Sequence, residues 1–303
     1  MAKITLGLPY KGSKAAIAED IVKKLPPGGR ILDACCGGGA FLMAAAMSLK
    51  WDSVVGNDLN KATIALLDAV LIHKGQIDYE HPAPCSRVDF FNSLQRIENG
   101  DFDIQDCVNK YCASFGNDGK TYLYGEQIED YKLIAEKMLT APTLSERRSN
   151  YRKFFDIVTK EDDDGRLQKL EIVQRLHSLE RLERLERLDI FDIDYKGFDV
   201  VYFDPPYKGT NKYDFEFDYD RFYDLFKSLK TDLKINAFLS EYDAPFTCVA
   251  EFEKKQLMAA SVGSSKSTTM EKLYFNGTAD EYRELMGRFY DDGAQKDCQQ
   301  SLF

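Results

Sequence analysis

Hydrophobic residues in the first quarter of the chain form short continuous runs that alternate with longer stretches of helical period. The runs RILDACC at 30–36 and DSVVGND at 52–58 have the length and apolar content of buried strands. Each run is followed by a stretch with a helical pattern, at 40–50 and at 61–74. This order of strand, helix, strand and helix predicts the beginning of a doubly wound α/β sheet.

The last third of the chain supplies further predicted strands. The stretch FDVVYFD at 198–204 is apolar almost throughout, as a central parallel strand is, and INAFLSEY at 235–242 predicts the next strand. Two stretches that flank SVGSSKSTT, at 248–257 and 270–277, predict a closing hairpin. The predicted fold class is therefore α/β, with a doubly wound, Rossmann-like sheet.

A further helix is predicted before the first strand. Residues 15–25 read AAIAEDIVKKL, which is an amphipathic pattern. Ser13 is the predicted N-cap, and Pro26 and Pro27 are the predicted stop.

The middle of the chain does not continue the alternation of strands and helices. We predict that residues 78–190 form an inserted, mainly helical domain, and that residues 1–77 and 191–303 form the sheet domain. Near the end of the insertion an apolar residue recurs at every third position. These residues are Leu167, Leu170, Val173, Leu176, Leu179, Leu182, Leu185 and Leu188. Because an α-helix has 3.6 residues per turn, this stripe drifts around the cylinder, and we interpret it as a charged helix that serves as a strut.

Composition places the chain among soluble globular proteins. Of its 303 residues, 44% are hydrophobic and 30% are charged, and the longest apolar runs are too short to span a membrane. The first residues lack the apolar core of a secretion signal. Seven cysteines, with Cys35 adjacent to Cys36, do not suggest a disulfide framework and favour a reducing cytoplasm. Their spacing does not predict a metal site.

The net charge of −10 argues mildly against a nucleic-acid partner, because phosphate binding requires lysine and arginine. One basic cluster changes this picture, since Arg147, Arg148, Arg152 and Lys153 surround Tyr151. Taken alone, the segment is better interpreted as a solvated helix face. Contact with phosphates is the alternative.

A glycine turn follows the first predicted strand. Gly37, Gly38 and Gly39 allow a ligand to approach the backbone closely, and Asp58 ends the next strand about 20 residues later. An acidic residue at that distance commonly accepts hydrogen bonds from ribose hydroxyls. Position 42 is Leu42 where a dinucleotide-binding fingerprint has a third glycine, and no GK[ST] motif follows, so NAD, FAD and ATP are disfavoured. S-adenosylmethionine, with a ribose and a carboxylate but no phosphate, fits better. The alternative is a turn that serves helix–strand packing only.

The stretch DPPY at 204–207 ends the strand at 198–204, at the sheet edge where ligands bind. Pro205 and Pro206 have fixed φ angles and no N–H, so a carbonyl beside the Asp204 carboxylate is free to face a substrate. Two acceptors and the flat ring of Tyr207 suit a planar exocyclic amine such as that of adenine. The acceptors would hold the amine and stabilise the positive charge that it gains. A base inside a duplex would have to be flipped out to reach them.

These motifs and their order resemble the Dam-like adenine-N6 DNA methyltransferases. The chain has LPYKGSK, LDACCGGGAF, VVGNDLN, an insertion, IDYKGFDVVYFDPPY and FLSEYDAP in that order. The resemblance implies double-stranded DNA as partner, S-adenosyl-L-methionine as cofactor, and a target-recognition role for the insertion. It assigns the target adenine to Asp204, Pro205, Pro206 and Tyr207. The residues assigned to the cofactor are Tyr10, Lys14, Asp33, Gly37, Gly39, Asp58, Asp194 and Asp204.

Two departures from the family pattern and three alternative functions qualify this assignment. Cys35 stands where the family usually has an aromatic residue, and residues 112–125 match the recognition region only in outline. A protein-glutamine methyltransferase would typically carry NPPY, so Asp204 argues against that alternative. An RNA-adenine methyltransferase can use the same site. A catalytically silent DNA-binding paralogue is disfavoured by the intact motifs.

Overall fold

The computed structural model describes residues 6–74, 76–77, 85–125, 129–155, 181–207, 217–255 and 268–288. The chain divides into two compact units. The first unit comprises residues 1–13, 37–39 and 60–177, and the second comprises residues 14–36, 40–59 and 178–303.

The second unit contains a seven-stranded sheet with the order β3-β2-β1-β4-β5-β7-β6. Its strands are β1 (Gly28–Asp33), β2 (Trp51–Asn57), β3 (Leu182–Glu186), β4 (Val200–Phe203), β5 (Asn236–Glu241), β6 (Thr247–Lys255) and β7 (Thr268–Phe275). The strands from β3 to β5 pair in parallel, whereas β7 is antiparallel to both β5 and β6. The predicted doubly wound α/β sheet and its closing hairpin are confirmed, and β7 lies between β5 and β6.

The strand order reverses at β1, which has β2 on one side and β4 on the other. In open α/β sheets, ligands bind at the carboxyl ends of the strands next to such a reversal. All four residues of β4 are buried, as expected for a central strand with both faces covered. The topology therefore places Asp33 and Asp204, which end β1 and follow β4, at the carboxyl ends of these two strands.

Helices of the second unit are α1 (Ala18–Lys23), α2 (Ala40–Ser48) and α8 (Tyr219–Thr231), and residues 279–288 are also helical. Ser13 is not the cap of α1, so that prediction is wrong. The helix begins at Ala18 with Ile17 at the N-cap and no side-chain cap. The backbone N–H groups of Ile17 and Ala18 both donate to the carbonyl of Lys14, so a turn replaces the first predicted helical residues.

The end of the leucine repeat is a strand, and the helix predicted there is wrong. Leu182–Glu186 forms β3, which pairs in parallel with β2. Arg30 donates from Nε and Nη2 to the Glu183 carboxylate. Leu185 packs over Gly56, where an added Cβ would lie 2.7 Å from Cδ2 of Leu185. The repeat residues up to position 180 lie outside the described residues. A period of three holds no constant face on a helix, so pairing with the open edge of β2 decides the conformation.

In its described part the first unit is mainly helical. Its helices are α3 (Lys61–Leu71), α4 (Arg87–Asn99), α5 (Ile104–Cys112), α6 (Glu129–Thr140) and α7 (Leu144–Phe155), with a 3₁₀ turn at Phe115–Asn117. Capping boxes begin α4 and α5, because the side chains of Ser86 and Asp103 accept from the backbone N–H three residues later. In return, their own backbone N–H groups donate to the carboxylates of Asp89 and Asp106. No helix in the described part of the chain is long and apolar enough to cross a membrane.

Candidate active site

In the first unit, the glycine turn packs tightly against aromatic and apolar side chains. Gly37 and Gly39 have φ angles of +46° and +76°, a region that favours glycine. A Cβ on Gly37 would lie 3.1 Å from Cε1 of Tyr10, and one on Gly39 would lie 2.8 Å from Cδ2 of Leu67. The backbone N–H of Leu8 donates to the carbonyl of Gly38 at 2.7 Å. Close packing therefore requires these glycines, and their contact with a cofactor stays a prediction.

In the second unit, Asp33 ends β1 as a buried carboxylate. Neither of its oxygens has a well-formed hydrogen bond within the described residues. Burial raises the pKa of Asp33 well above its ordinary value, and the charges of Asp204 and Asp58 raise it further. An acceptor pair held at this cost is typical of a site that receives a ligand's donors.

Three carboxylates of the second unit interact near the carboxyl end of β1. Burial raises the pKa of the Cys35 thiol well above its ordinary value. The negative charges of Asp58, Asp33 and Asp204 raise this pKa further. The structure therefore brings these three predicted site residues together. Since carboxylates outnumber the nearby Lys14 ammonium, the charge there suits a cationic ligand such as a sulfonium.

Asp58 is positioned by a buried network at the end of β2. Asn57, which is fully buried, donates from Nδ2 to the carbonyls of Ala34 and Leu188, at 3.0 Å each. Its Oδ1 accepts from the N–H of Leu188 at 2.8 Å. The N–H of Asp58 donates to the carbonyl of Glu186. These bonds tie the ends of β1 and β2 to the segment after β3, and so fix the backbone that carries Asp58.

Asp204 follows β4 and pairs with Lys14. Nζ of Lys14 lies 2.7 Å from Oδ2 of Asp204 and 3.4 Å from Oε1 of Glu271, which is fully buried. Burial lowers the pKa of Lys14, but the charges of Asp204 and Glu271 outweigh it, so the pKa lies above its ordinary value. The ammonium stays charged and holds the Asp204 carboxylate in place.

Tyr207 lies beside this ion pair. The Lys14 ammonium is 4.7 Å from the centroid of the Tyr207 ring, and Tyr242 meets the ring edge-on at a centroid distance of 4.6 Å. Burial, then the charges of Asp204 and Glu271, raise the pKa of the Tyr207 hydroxyl, so the hydroxyl remains protonated. These neighbours orient the ring at the carboxyl end of β4.

The backbone of the DPPY stretch has its own anchor. Tyr219, the first residue of α8, donates its hydroxyl to the carbonyl of Pro206. The adjacent carbonyl of Pro205 is the one that we predict to face the substrate amine. Tyr219 thus stabilises the conformation of the two prolines.

Asp194 makes a local contact, and the structure does not connect it with the cluster of Lys14, Asp204 and Tyr207 among the described residues. Its side chain is exposed, and its Oδ1 accepts from the backbone N–H of Lys196 at 3.1 Å, as in a local turn. The assignment of Asp194 to the cofactor stays a prediction.

Sequence reasoning missed Glu271, Asn57 and Tyr219. One signal for Glu271 was available, because it occupies an inward position of β7, in step with the buried Leu273 and Phe275. A charged residue at an apolar position of a strand indicates a partner. The roles of Asn57 and Tyr219 depend on backbone atoms far away in the sequence, for which no local signal exists.

A comparison with family models matches residues 10–279 to the model described as D12 class N6 adenine-specific DNA methyltransferase. Among solved structures, the chain resembles two structures of the rRNA methyltransferase aviRa from Streptomyces viridochromogenes. One has 15% identity and a TM-score of 0.38, with 91% of each chain covered. The other has 15% identity and a TM-score of 0.34, with 86% of this chain and 82% of that chain covered. A comparison with curated protein sequences gives no match.

Proposed function

The chain belongs to the D12 class N6 adenine-specific DNA methyltransferase family, and from this premise we propose that it methylates the N6 amine of adenine in double-stranded DNA, with S-adenosyl-L-methionine as methyl donor. The observation that carries the proposal is the Asp204 carboxylate, held by Lys14 at 2.7 Å and adjacent to Tyr207 at the carboxyl end of β4.

The residues at the carboxyl ends of β1 and β2 fit the cofactor. Asp33 offers buried acceptor oxygens, and Asp58 follows the neighbouring strand, where an acidic residue commonly binds ribose hydroxyls. The excess of carboxylates favours a cationic ligand. When bound, S-adenosylmethionine supplies an electrophilic methyl group on its sulfonium.

The chain's own residues prepare the amine. Asp204 and the Pro205 carbonyl accept the two amine N–H bonds, and this holds the nitrogen and directs its lone pair away from the ring. As the nitrogen gains positive charge, the fixed Asp204 carboxylate stabilises that charge without reorganisation. Tyr207 packs on the base, which must leave the helix stack to reach the site.

An exposed aromatic residue in the first unit supports a nucleic-acid substrate. The side chain of Phe115 is 57% exposed on a tight turn in which Gly116 and Asn117 have positive φ angles. The N–H of Lys11 donates to the carbonyl of Asn117 at 3.1 Å and secures this turn. An exposed aromatic ring on such a turn can stack on a base or wedge between bases. We propose that residues 78–190 contain the target-recognition region.

A methylation assay with purified protein and labelled cofactor tests the function. We expect N6-methyladenine in duplex DNA and little product in RNA of the same sequence. Product in RNA alone would support an RNA methyltransferase. DNA binding without product in either substrate would indicate a silent paralogue.

Asp58→Ala is expected to weaken S-adenosylmethionine binding by about tenfold or more, because the charged acceptor for ribose hydroxyls is removed. DNA affinity should change little. Calorimetric titration measures the cofactor affinity, with Asp52→Ala, at the opposite end of β2, as the matched control. Unchanged cofactor affinity would remove Asp58 from the site.

Neutralising Arg147 and Arg148 is expected to flatten the plot of log DNA affinity against log salt concentration. Both side chains are exposed on α7, whereas the side chains of Arg152 and Lys153 lie outside the described residues. The slope should fall by about 0.9 for each DNA phosphate that the protein no longer neutralises. Neutralising Lys23, the last residue of α1, and Lys24, its C-cap, is the control. An unaltered slope for the Arg147 and Arg148 variant would identify a solvated helix face.

A further inference from the structure

A buried carboxylate on β7 shares the Lys14 ammonium with Asp204. Oε1 of Glu271 lies 3.4 Å from Nζ of Lys14, and the Asp204 carboxylate lies on the same ammonium at 2.7 Å. Glu271 is fully buried, as is the Lys14 side chain apart from a 6% exposed fraction. The carboxylates of Asp204 and Glu271 therefore both interact with the single positive charge of Lys14.

This arrangement is costly for the fold alone. Burial of a carboxylate requires compensation, and apolar residues of similar volume often replace buried ion pairs with no loss of stability. Leu273 and Phe275, on the same face of β7, show what this position would carry if packing were its only task. The second carboxylate therefore needs another explanation.

We propose that Glu271 is a positioning residue for methyl transfer, which acts through Lys14 to keep Asp204 a strong acceptor for the substrate amine. This role rests on the proposed function. If Lys14 paired with Asp204 alone, its ammonium would compensate most of the carboxylate's charge. Because the ammonium also interacts with Glu271, it compensates less of the negative charge of Asp204, and that charge remains available to the substrate amine. Lys14 still fixes the position of Asp204.

The surroundings of Asp204 determine how its titration should respond. Among the described residues, the titratable groups that interact with it include Lys14, Asp33, Cys35, Tyr202, Tyr207, Tyr242 and, through Lys14, Glu271. Burial is the largest cause that raises the pKa values of these tyrosines and of Cys35, so the four groups are neutral near pH 7. Glu271 thus contributes negative charge and Lys14 positive charge, whereas burial raises the pKa of Asp33 well above its ordinary value and favours its neutral form. Removal of the Glu271 charge lowers the pH at which Asp204 releases its proton.

The first test is the pH profile of methyl transfer by Glu271→Gln. We expect kcat to fall by about three- to tenfold with little change in KM, because the acceptor is weakened after binding. The acid limb of the profile should move to lower pH by about half a unit to one unit. Glu271→Asp, which keeps the charge, should restore the limb, and Glu251→Gln, an exposed site on β6, should match the wild type in both respects.

The second test does not require activity. Lys14→Met leaves both carboxylates without their ammonium, so the melting temperature should fall, and adding Glu271→Gln should recover part of that fall. A double variant no more stable than Lys14→Met, or an active Glu271→Gln with an unshifted acid limb, overturns the role of Glu271 alone. A folded wild type that methylates no adenine in DNA or RNA overturns the proposed function and this role together.

Discussion

Asp204→Asn is expected to leave the protein folded and to slow methyl transfer by about a hundredfold or more. Asparagine has nearly the same volume, but it loses the negative charge that faces the developing positive charge on the amine. Its amide can also present N–H donors to a group that itself donates. Loss of one positioned charged acceptor costs on the order of 3 kcal/mol in the transition state.

The measurement is single-turnover transfer of labelled methyl groups to duplex DNA, with thermal melts to verify folding. Asp199→Asn, just before the other end of β4, is the matched control, because asparagine can still accept the bond that Asp199 receives from the N–H of Arg30. A folded Asp204→Asn protein with near-normal turnover would contradict the proposed role of the Asp204 carboxylate in methyl transfer.

Lys14→Met is expected to lower the free energy of unfolding at pH 8 by about 3–5 kcal/mol and to abolish most of the activity. Methionine replaces the volume of the lysine but leaves the Asp204 and Glu271 carboxylates uncompensated, one partly and one fully buried. The destabilisation should shrink toward pH 5, because the carboxylates can then bind protons at lower cost. Chemical denaturation at several pH values measures it.

The sign of the pH dependence at high pH follows from the raised pKa of Lys14. In the wild type, the titration of Lys14 leaves this stabilisation fully present from about pH 8 up to about pH 10.5, the ordinary value for lysine. It is lost as the pH rises through the higher pKa of the folded state. The difference in unfolding free energy between wild type and Lys14→Met should therefore be constant from about pH 8 to pH 10 and fall above that range. A difference that declines already below pH 9 would contradict the assignment of the charge to Lys14.

The local sequence was enough to predict an element wherever its own residues determine its conformation and any apolar surface can cover it. The apolar run before Asp204 has to be a buried strand, and the two prolines after it have to end that strand, so the position of Asp204 at the sheet edge was predictable. The same holds for Asp58 after β2 and for the closing hairpin of β6 and β7.

Pairing between strands that are distant in the sequence decided the conformation of the segment that was wrongly predicted as a helix. Residues 182–186 carry leucines and charges that either a helix or an edge strand accepts, and the open edge of β2 selects the strand. The predicted start of α1 was wrong for a local reason, since a turn at the Lys14 carbonyl takes the place of the predicted cap at Ser13.

The sequence by itself determined the α/β sheet, the glycine turn and the carboxylate, prolines and tyrosine at the end of β4, because hydrophobic period and backbone restrictions act over a few residues. Only the tertiary structure decided which charges meet there. Lys14 precedes the first helix, Asp204 follows β4 and Glu271 lies on β7, and no local rule links them. Ion pairing requires proximity within a few ångströms, and the fold creates that proximity when it brings distant strands into one sheet.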